Sequence, residues 1–147
     1  MSILRKALTT AALATALIAT GAHAETKRIV AVEALLRWER GPTRDPLGPN
    51  VFVPIAEDSG LINPLGLWVL RQAACDAGRW GDITLSVNIS AAQLRNAEFP
   101  IRLGEVLEET GFPPHRLELE VTETCLVLDP VVAERTLDVI RSFGVKI

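Results

Sequence analysis

Cysteine and histidine are scarce, two of each in 147 residues. Cys75 and Cys125 fall in no metal-ligand spacing and no disulfide framework, and they read as two small buried hydrophobes. An oxidising compartment would let them pair, which sequence alone does not decide. His23 and His115 have no Ser, Cys or metal-ligating partner at a useful spacing, which excludes imidazole-based nucleophilic catalysis. Clusters of Lys and Arg are also absent, so the chain does not read as a binder of nucleic-acid polymers or anionic membranes. No G-x-G-x-x-G follows the first strand and no G-x-x-x-x-G-K-[ST] occurs anywhere, which removes the ordinary dinucleotide and P-loop readings. The apolar run from Ala7 to Thr20 spans 14 residues. A membrane-crossing helix needs about 20, so no stable membrane anchor is expected.

What the N-terminus does contain is a short basic start (Arg5, Lys6), that apolar run, and Ala22-His23-Ala24 before Glu25. The order is that of a cleavable secretory signal peptide over residues 1–24, with a signal-peptide-like helix and export to the periplasm as the expectation. A cytosolic Ala-rich helix is the alternative. Without those residues, 13 Lys and Arg stand against 18 Asp and Glu, a formal charge of −5. The remaining residues 25–147 suit one domain.

Strand and helix signals alternate along that domain. Arg28 to Leu36 reads as a strand whose near-continuous apolar run fits burial on both faces. Phe52 to Asp58 predicts a short helix stopped by Gly60, and Asn63-Pro64 opens a longer one that ends near Gly78. Ile83 to Asn88 is a second strand, after which Ser90 can cap a helical turn over Ala91 to Leu94. A helix over Glu98 to Glu109, a strand over Arg116 to Val121, and a helix opened by Asp129-Pro130 and ended by Gly144 follow. Val145-Lys146-Ile147 begins another strand. The pattern is that of βα units on a parallel sheet, an α/β fold best matched by part of a (β/α) TIM-type barrel.

Three oxygen-bearing side chains stand at or near strand ends: Glu33, Asn88 and Glu120. Such ends carry the chemistry in barrels of this type. Carboxylate and amide oxygens suit Mg²⁺ or Mn²⁺ rather than zinc. Plainer roles compete: a Glu33–Arg37 ion pair, Asn88 as a helix cap, Glu120 and Glu123 as a solvated strand end and a capping acid, and Arg37 with Trp38 as a cation-π or core pair.

Val32-Glu33-Ala34-Leu35-Leu36-Arg37-Trp38, Ser86-Val87-Asn88-Ile89-Ser90 and Leu119-Glu120-Val121-Thr122-Glu123 resemble, in order and spacing, the first half of the EAL-domain family of cyclic di-GMP phosphodiesterases. Phe52-Val53-Pro54-Ile55-Ala56-Glu57-Asp58-Ser59-Gly60-Leu61-Ile62 and Leu65-Gly66-Leu67-Trp68-Val69-Leu70 extend the resemblance from Thr26 to Ile147. It implies about half of the family's barrel, with Mg²⁺ or Mn²⁺ held by Glu33, Asn88 and Glu120. It also implies a phosphate of cyclic di-GMP met by Arg37, and a loop steadied by Glu123. The family's first strand with its Gln-Pro motif, its paired aspartates, its lysine and its later glutamate and glutamine have no counterparts here. No catalytic set is complete, and the chain reads as catalytically incompetent by itself. The alternatives are an enzyme whose other half is supplied and a non-catalytic binding or interaction remnant. A cytoplasmic location, as the family implies, competes with export. Open sheet edges add an expectation of self-association.

Overall fold

The computed structural model describes residues 8–13, 28–122 and 129–147. Its sheet has four strands in chain order: β1 (Leu8–Leu13), β2 (Ala31–Trp38), β3 (Thr84–Ile89) and β4 (Leu117–Val121). β2, β3 and β4 are parallel. Helices α1 (Pro49–Asp58) and α2 (Ile62–Ala77) form the first crossover, α3 (Ala91–Leu94) and α4 (Phe99–Thr110) the second, and α5 (Pro130–Ser142) follows β4. The chain then returns to β4, where Lys146 exchanges 2.9 Å backbone hydrogen bonds with Leu117 and Leu119. Among the described residues no helix is long and apolar enough to cross a membrane.

The segment expected as a signal-like helix departs from that expectation. Leu8–Leu13 is a strand, antiparallel to β2, running in register from Leu8 opposite Trp38 to Leu13 opposite Glu33. β3 pairs with β2 only from Ala31 to Ala34. β1 lies on the opposite edge of β2, where it supplies backbone partners from Glu33 to Trp38. A strand stands where the resemblance led us to expect none, although it lacks the Gln-Pro motif. Ala22 and Ala24, the expected cleavage site, lie outside the described residues.

Period-2 alternation sorts the sheet into two unlike faces. Val32, Ala34, Leu85, Val87, Ile89, Leu117 and Leu119 join the helices in one core with Leu70, Phe99, Leu103, Val106, Leu137 and Ile140. Leu103 and Ile140 are fully buried, each worth about 2–3 kcal/mol relative to exposure. Glu33, Ser86, Asn88, Glu118 and Glu120 alternate onto the opposite face. This corrects the expectation of a first strand apolar on both faces. Ile29 and Val30 precede β2 and are 45% and 52% exposed, so the apolar run is split between a loop and the strand. Cys75 is likewise exposed on α2 rather than buried, and Cys125 lies outside the described residues.

Local signals set most boundaries. α4 turns Phe99, Leu103, Val106 and Leu107 inward and ends at Gly111, whose φ of +64° suits glycine. α5 starts where Asp129 Oδ1 accepts the Val132 N–H at 3.2 Å. α2 starts at Ile62 without a side-chain cap, because the N-cap position is held by Leu61; Asn63, already inside the helix, accepts at Oδ1 from Asn96 Nδ2 at 3.2 Å.

Candidate functional site

Glu33, Asn88 and Glu120 come together on the polar face of the sheet. Glu120 is the register partner of Asn88 on the neighbouring strand, which places their backbones about 4.8 Å apart. Asn88 Nδ2 donates to Glu33 Oε1 at 2.7 Å. That bond is diagonal, since Glu33 is level with Ser86 rather than with Asn88. Asn88 and Glu120 are the penultimate residues of β3 and β4, as expected for a site at strand ends. Glu33 is only the third of eight residues in β2; it stands near the end of the stretch paired with β3, and β2 continues past it along β1.

The bond corrects two of the plainer roles. Glu33 takes Asn88 as its partner and no Glu33–Arg37 ion pair forms. Asn88 caps nothing, because Ser90 is the cap. Ser90 Oγ accepts from Gln93 N–H at 3.4 Å while Gln93 Oε1 accepts from Ser90 N–H at 3.2 Å, a reciprocal capping box.

Beside these strand ends lies a cavity of about 610 Å³, bounded by Asn88 and Ser90 from the β3 end, Asn50, Pro54 and Glu57 from α1, and Gly66 from α2. Pro54 lies inside α1 and lacks an N–H, so the Asn50 carbonyl lacks its usual donor four residues on. Trp38 closes the far end of β2 against α1, meeting the buried ring of Phe52 edge-on at 5.8 Å between centroids. Of the plainer roles weighed for Trp38, a cation-π pair or a core pair, its ring takes a packing contact with Phe52. Arg37 shares the polar face with Glu33 four residues on, and its guanidinium donates to the Leu36 carbonyl at 2.9 Å. Glu123 lies outside the described residues.

The donor chemistry fits a hard divalent cation in part. Glu33, Asn88 and Glu120 offer only oxygen ligands, and the donation from Asn88 Nδ2 leaves Asn88 Oδ1 available for coordination. Among the described residues no group of three His, Cys, Asp or Glu side chains converges to hold a metal. Two carboxylates and an amide form one side of a six-coordinate shell. Asn50, Glu57, Gly66 and Gln93 were not singled out from the sequence as site residues. Of these only Gln93 had a usable signal, the S-x-x-Q pattern directly after Asn88.

Comparison with known proteins identifies the family of the whole chain. The family model described as "EAL domain" matches residues 4–147. An uncharacterized signaling protein of Caulobacter vibrioides is 43% identical over 127 residues, 86% of this chain and 16% of that protein. Cyclic di-GMP phosphodiesterase PdeR of Escherichia coli is 38% identical over 117 residues, 77% of this chain and 17% of its own length. The chain thus spans about a sixth of the length of these curated relatives. Among solved structures, the PaMucR phosphodiesterase in complex with c-di-GMP superposes with a TM-score of 0.72 at 34% identity, over 80% of this chain and 50% of that one. The EAL enzyme Bd1971 in its cGMP-bound form gives a TM-score of 0.78 at 27% identity, over 98% and 40%.

Proposed function

The chain belongs to the EAL domain family, and we propose that it carries one side of a divalent-metal and cyclic di-GMP site without turning the nucleotide over by itself. The observation that carries this reading is the convergence of Glu33, Asn88 and Glu120 on the polar face of the sheet, where Asn88 also borders the 610 Å³ cavity and no third carboxylate among the described residues joins them. Hydrolysis by a two-metal route needs acids that bridge the ions and position the attacking water. Two carboxylates and an amide supply ligands for one ion. In this reading Glu33, Asn88 and Glu120 hold Mg²⁺ or Mn²⁺, which when bound would polarise a phosphate oxygen. Arg37 lies on the same face and offers a guanidinium to a phosphate, a geometry suited to paired N–H donation. The family resemblance would give Glu123, which lies outside the described residues, a loop-steadying role.

Support for the nucleotide comes from relatives: PdeR is named a cyclic di-GMP phosphodiesterase, and the PaMucR structure is a c-di-GMP complex. A second reading, turnover once the remaining ligands are supplied, is favoured by coverage, since this chain matches half of the PaMucR chain. A binding remnant would need only the first side. Export through residues 1–24 is also proposed from their order of basic, apolar and small residues, with a cytoplasmic location as the alternative; β1 pairing supports only retention of the segment. Calorimetric titration of the full chain with Mn²⁺ tests the site. Glu33→Ala and Glu120→Ala should each weaken binding about tenfold, a loss of ~1.4 kcal/mol. Equal binding by wild type and both variants would place the metal elsewhere.

A further inference from the structure

Asn88 is exposed, and one hydrogen bond between exposed side chains does not hold a carboxamide in place against water. Its orientation must come from the backbone that presents it, and that backbone is pinned two residues on. Ser90 N–H is bound to Gln93 Oε1 and Gln93 N–H to Ser90 Oγ, which closes the turn directly after β3. Gln93 is 2% exposed, an unusual depth for an amide. Room for it is made by Gly66 of α2: a Cβ on Gly66 would overlap Gln93 Nε2. Gly66 needs no left-handed backbone conformation, so the space it leaves is its contribution. Gln93 Nε2 has no hydrogen-bond partner, so the side chain is held there by its Oε1 bond and by packing. The same short helix is tied to α5 by Thr136 Oγ1 donating to the Leu94 carbonyl at 3.0 Å, and to α2 by the Asn96–Asn63 bond.

We propose that Gln93 is a positioning residue for Asn88: seated under Gly66, it locks the turn after β3 so that the Asn88 carboxamide is held toward Glu33. The proposal deepens the metal-site reading and rests on it for its functional meaning, but its structural content is tested without metal or nucleotide. Asn88 is one of four asparagines in the chain, so selective ¹⁵N-asparagine labelling of the full chain gives a resolvable side-chain amide pair. The position of that pair in Glu33→Ala defines the freed state. Gln93→Met, which keeps the bulk and removes the acceptor, should move the Asn88 resonances toward that position. Gly66→Ala should do the same from a different helix by evicting Gln93. Gln93→Glu keeps an acceptor for Ser90 N–H and should leave Asn88 at its wild-type position.

Should Gly66→Ala fail to fold, Gly66→Ala/Gln93→Ala removes the clash and should fold with Asn88 still freed. An Asn88 pair unmoved in Gln93→Met, or displaced equally in Gln93→Glu and Gln93→Met, would overturn the proposal and leave Gln93 a packing residue. Mn²⁺ titration of the same variants separates the two ideas. If wild type binds no metal while Asn88 still responds to Gln93, the clamp stands and the metal reading falls.

Discussion

Asn88 donates a 2.7 Å hydrogen bond to Glu33 across 55 residues of sequence, joining β3 to β2 on the face of the sheet that the helices leave open. Glu33 points away from Val32 and Ala34, onto the open face, where it is only partly buried. The partner that satisfies it is a neutral amide, so the negative charge is kept. A neutralising Arg37 would have left less charge to attract a cation, whereas the observed pair keeps one carboxylate and one amide oxygen available beside Glu120.

Replacing the amide by an acid should expose this relationship. Asn88→Asp removes the donor and sets a second carboxylate against Glu33, which should destabilise the chain by about 1 kcal/mol at neutral pH. Repulsion makes the folded variant bind protons more readily than the unfolded one, so the deficit should be present above about pH 5 and fade as pH falls through about 4. Urea denaturation at both pH values checks this, and added Mn²⁺ should recover stability at neutral pH. A deficit of the same size at both pH values would show that the two groups do not share charge.

Arg116 should be a large contributor to stability. Its Nε donates to the Ile83 carbonyl at 3.0 Å and its Nη2 to the Ala77 carbonyl at 3.2 Å, while the guanidinium lies 4.9 Å over the Phe112 ring. It thereby ties the end of α2 to the approach to β3. Arg116→Met leaves the two carbonyls without that donor and should cost about 2 kcal/mol. Chemical denaturation reads it, and a loss below about 0.5 kcal/mol would mean that water replaces the donor.

The N-terminal residues 8–13 can serve as β1 or leave with a signal peptide, but not both. Residues 25–147 alone should show fast backbone exchange from Leu35 to Trp38, where β1 supplies the ladder. The full chain should protect the same amides. Mass spectrometry of the expressed protein decides between the fates: a Glu25 N-terminus means export, and an intact Met1 species means a retained strand.

Self-association should follow from apolar surface outside the core. Val51 and Ile55, one turn apart on α1, are 53% and 63% exposed, and Leu61 just beyond is 61% exposed. Light scattering after size exclusion should give a mass that rises with concentration, and Ile55→Lys should lower it. A strict monomer at every concentration would contradict this.

Legibility in the sequence tracked the range of the interactions. The Ser90 cap, the Asp129-Pro130 start and the Gly111 and Gly144 stops were readable because each depends on neighbours within four residues. Asn88 and Glu120 were readable as strand-end oxygens, whereas the place of Glu33 early in β2 and its diagonal relation to Asn88 were not, since both depend on how far the strands extend and on their stagger. The strand at Leu8–Leu13 was missed because a run of Ala, Leu and Thr has no decisive period, and what recruits it is the unpaired edge of β2 far away in sequence. Exposure of Cys75 was missed for a related reason: its helix buries Ala73, Ala74 and Ala77, a stripe set by packing partners rather than by hydrophobicity. Gly66 and Gln93 could be seen as a pair only in three dimensions.

Incubation of the purified full chain with cyclic di-GMP and Mg²⁺ or Mn²⁺, followed by chromatography for the linear dinucleotide, tests the central claim most directly. One side of a site, with two carboxylates and an amide for a single ion, should give no linear product above the metal-only background, and Glu33→Ala should be indistinguishable from wild type. Metal-dependent appearance of the linear dinucleotide, abolished by Glu33→Ala, would contradict the account and make this chain an enzyme in its own right.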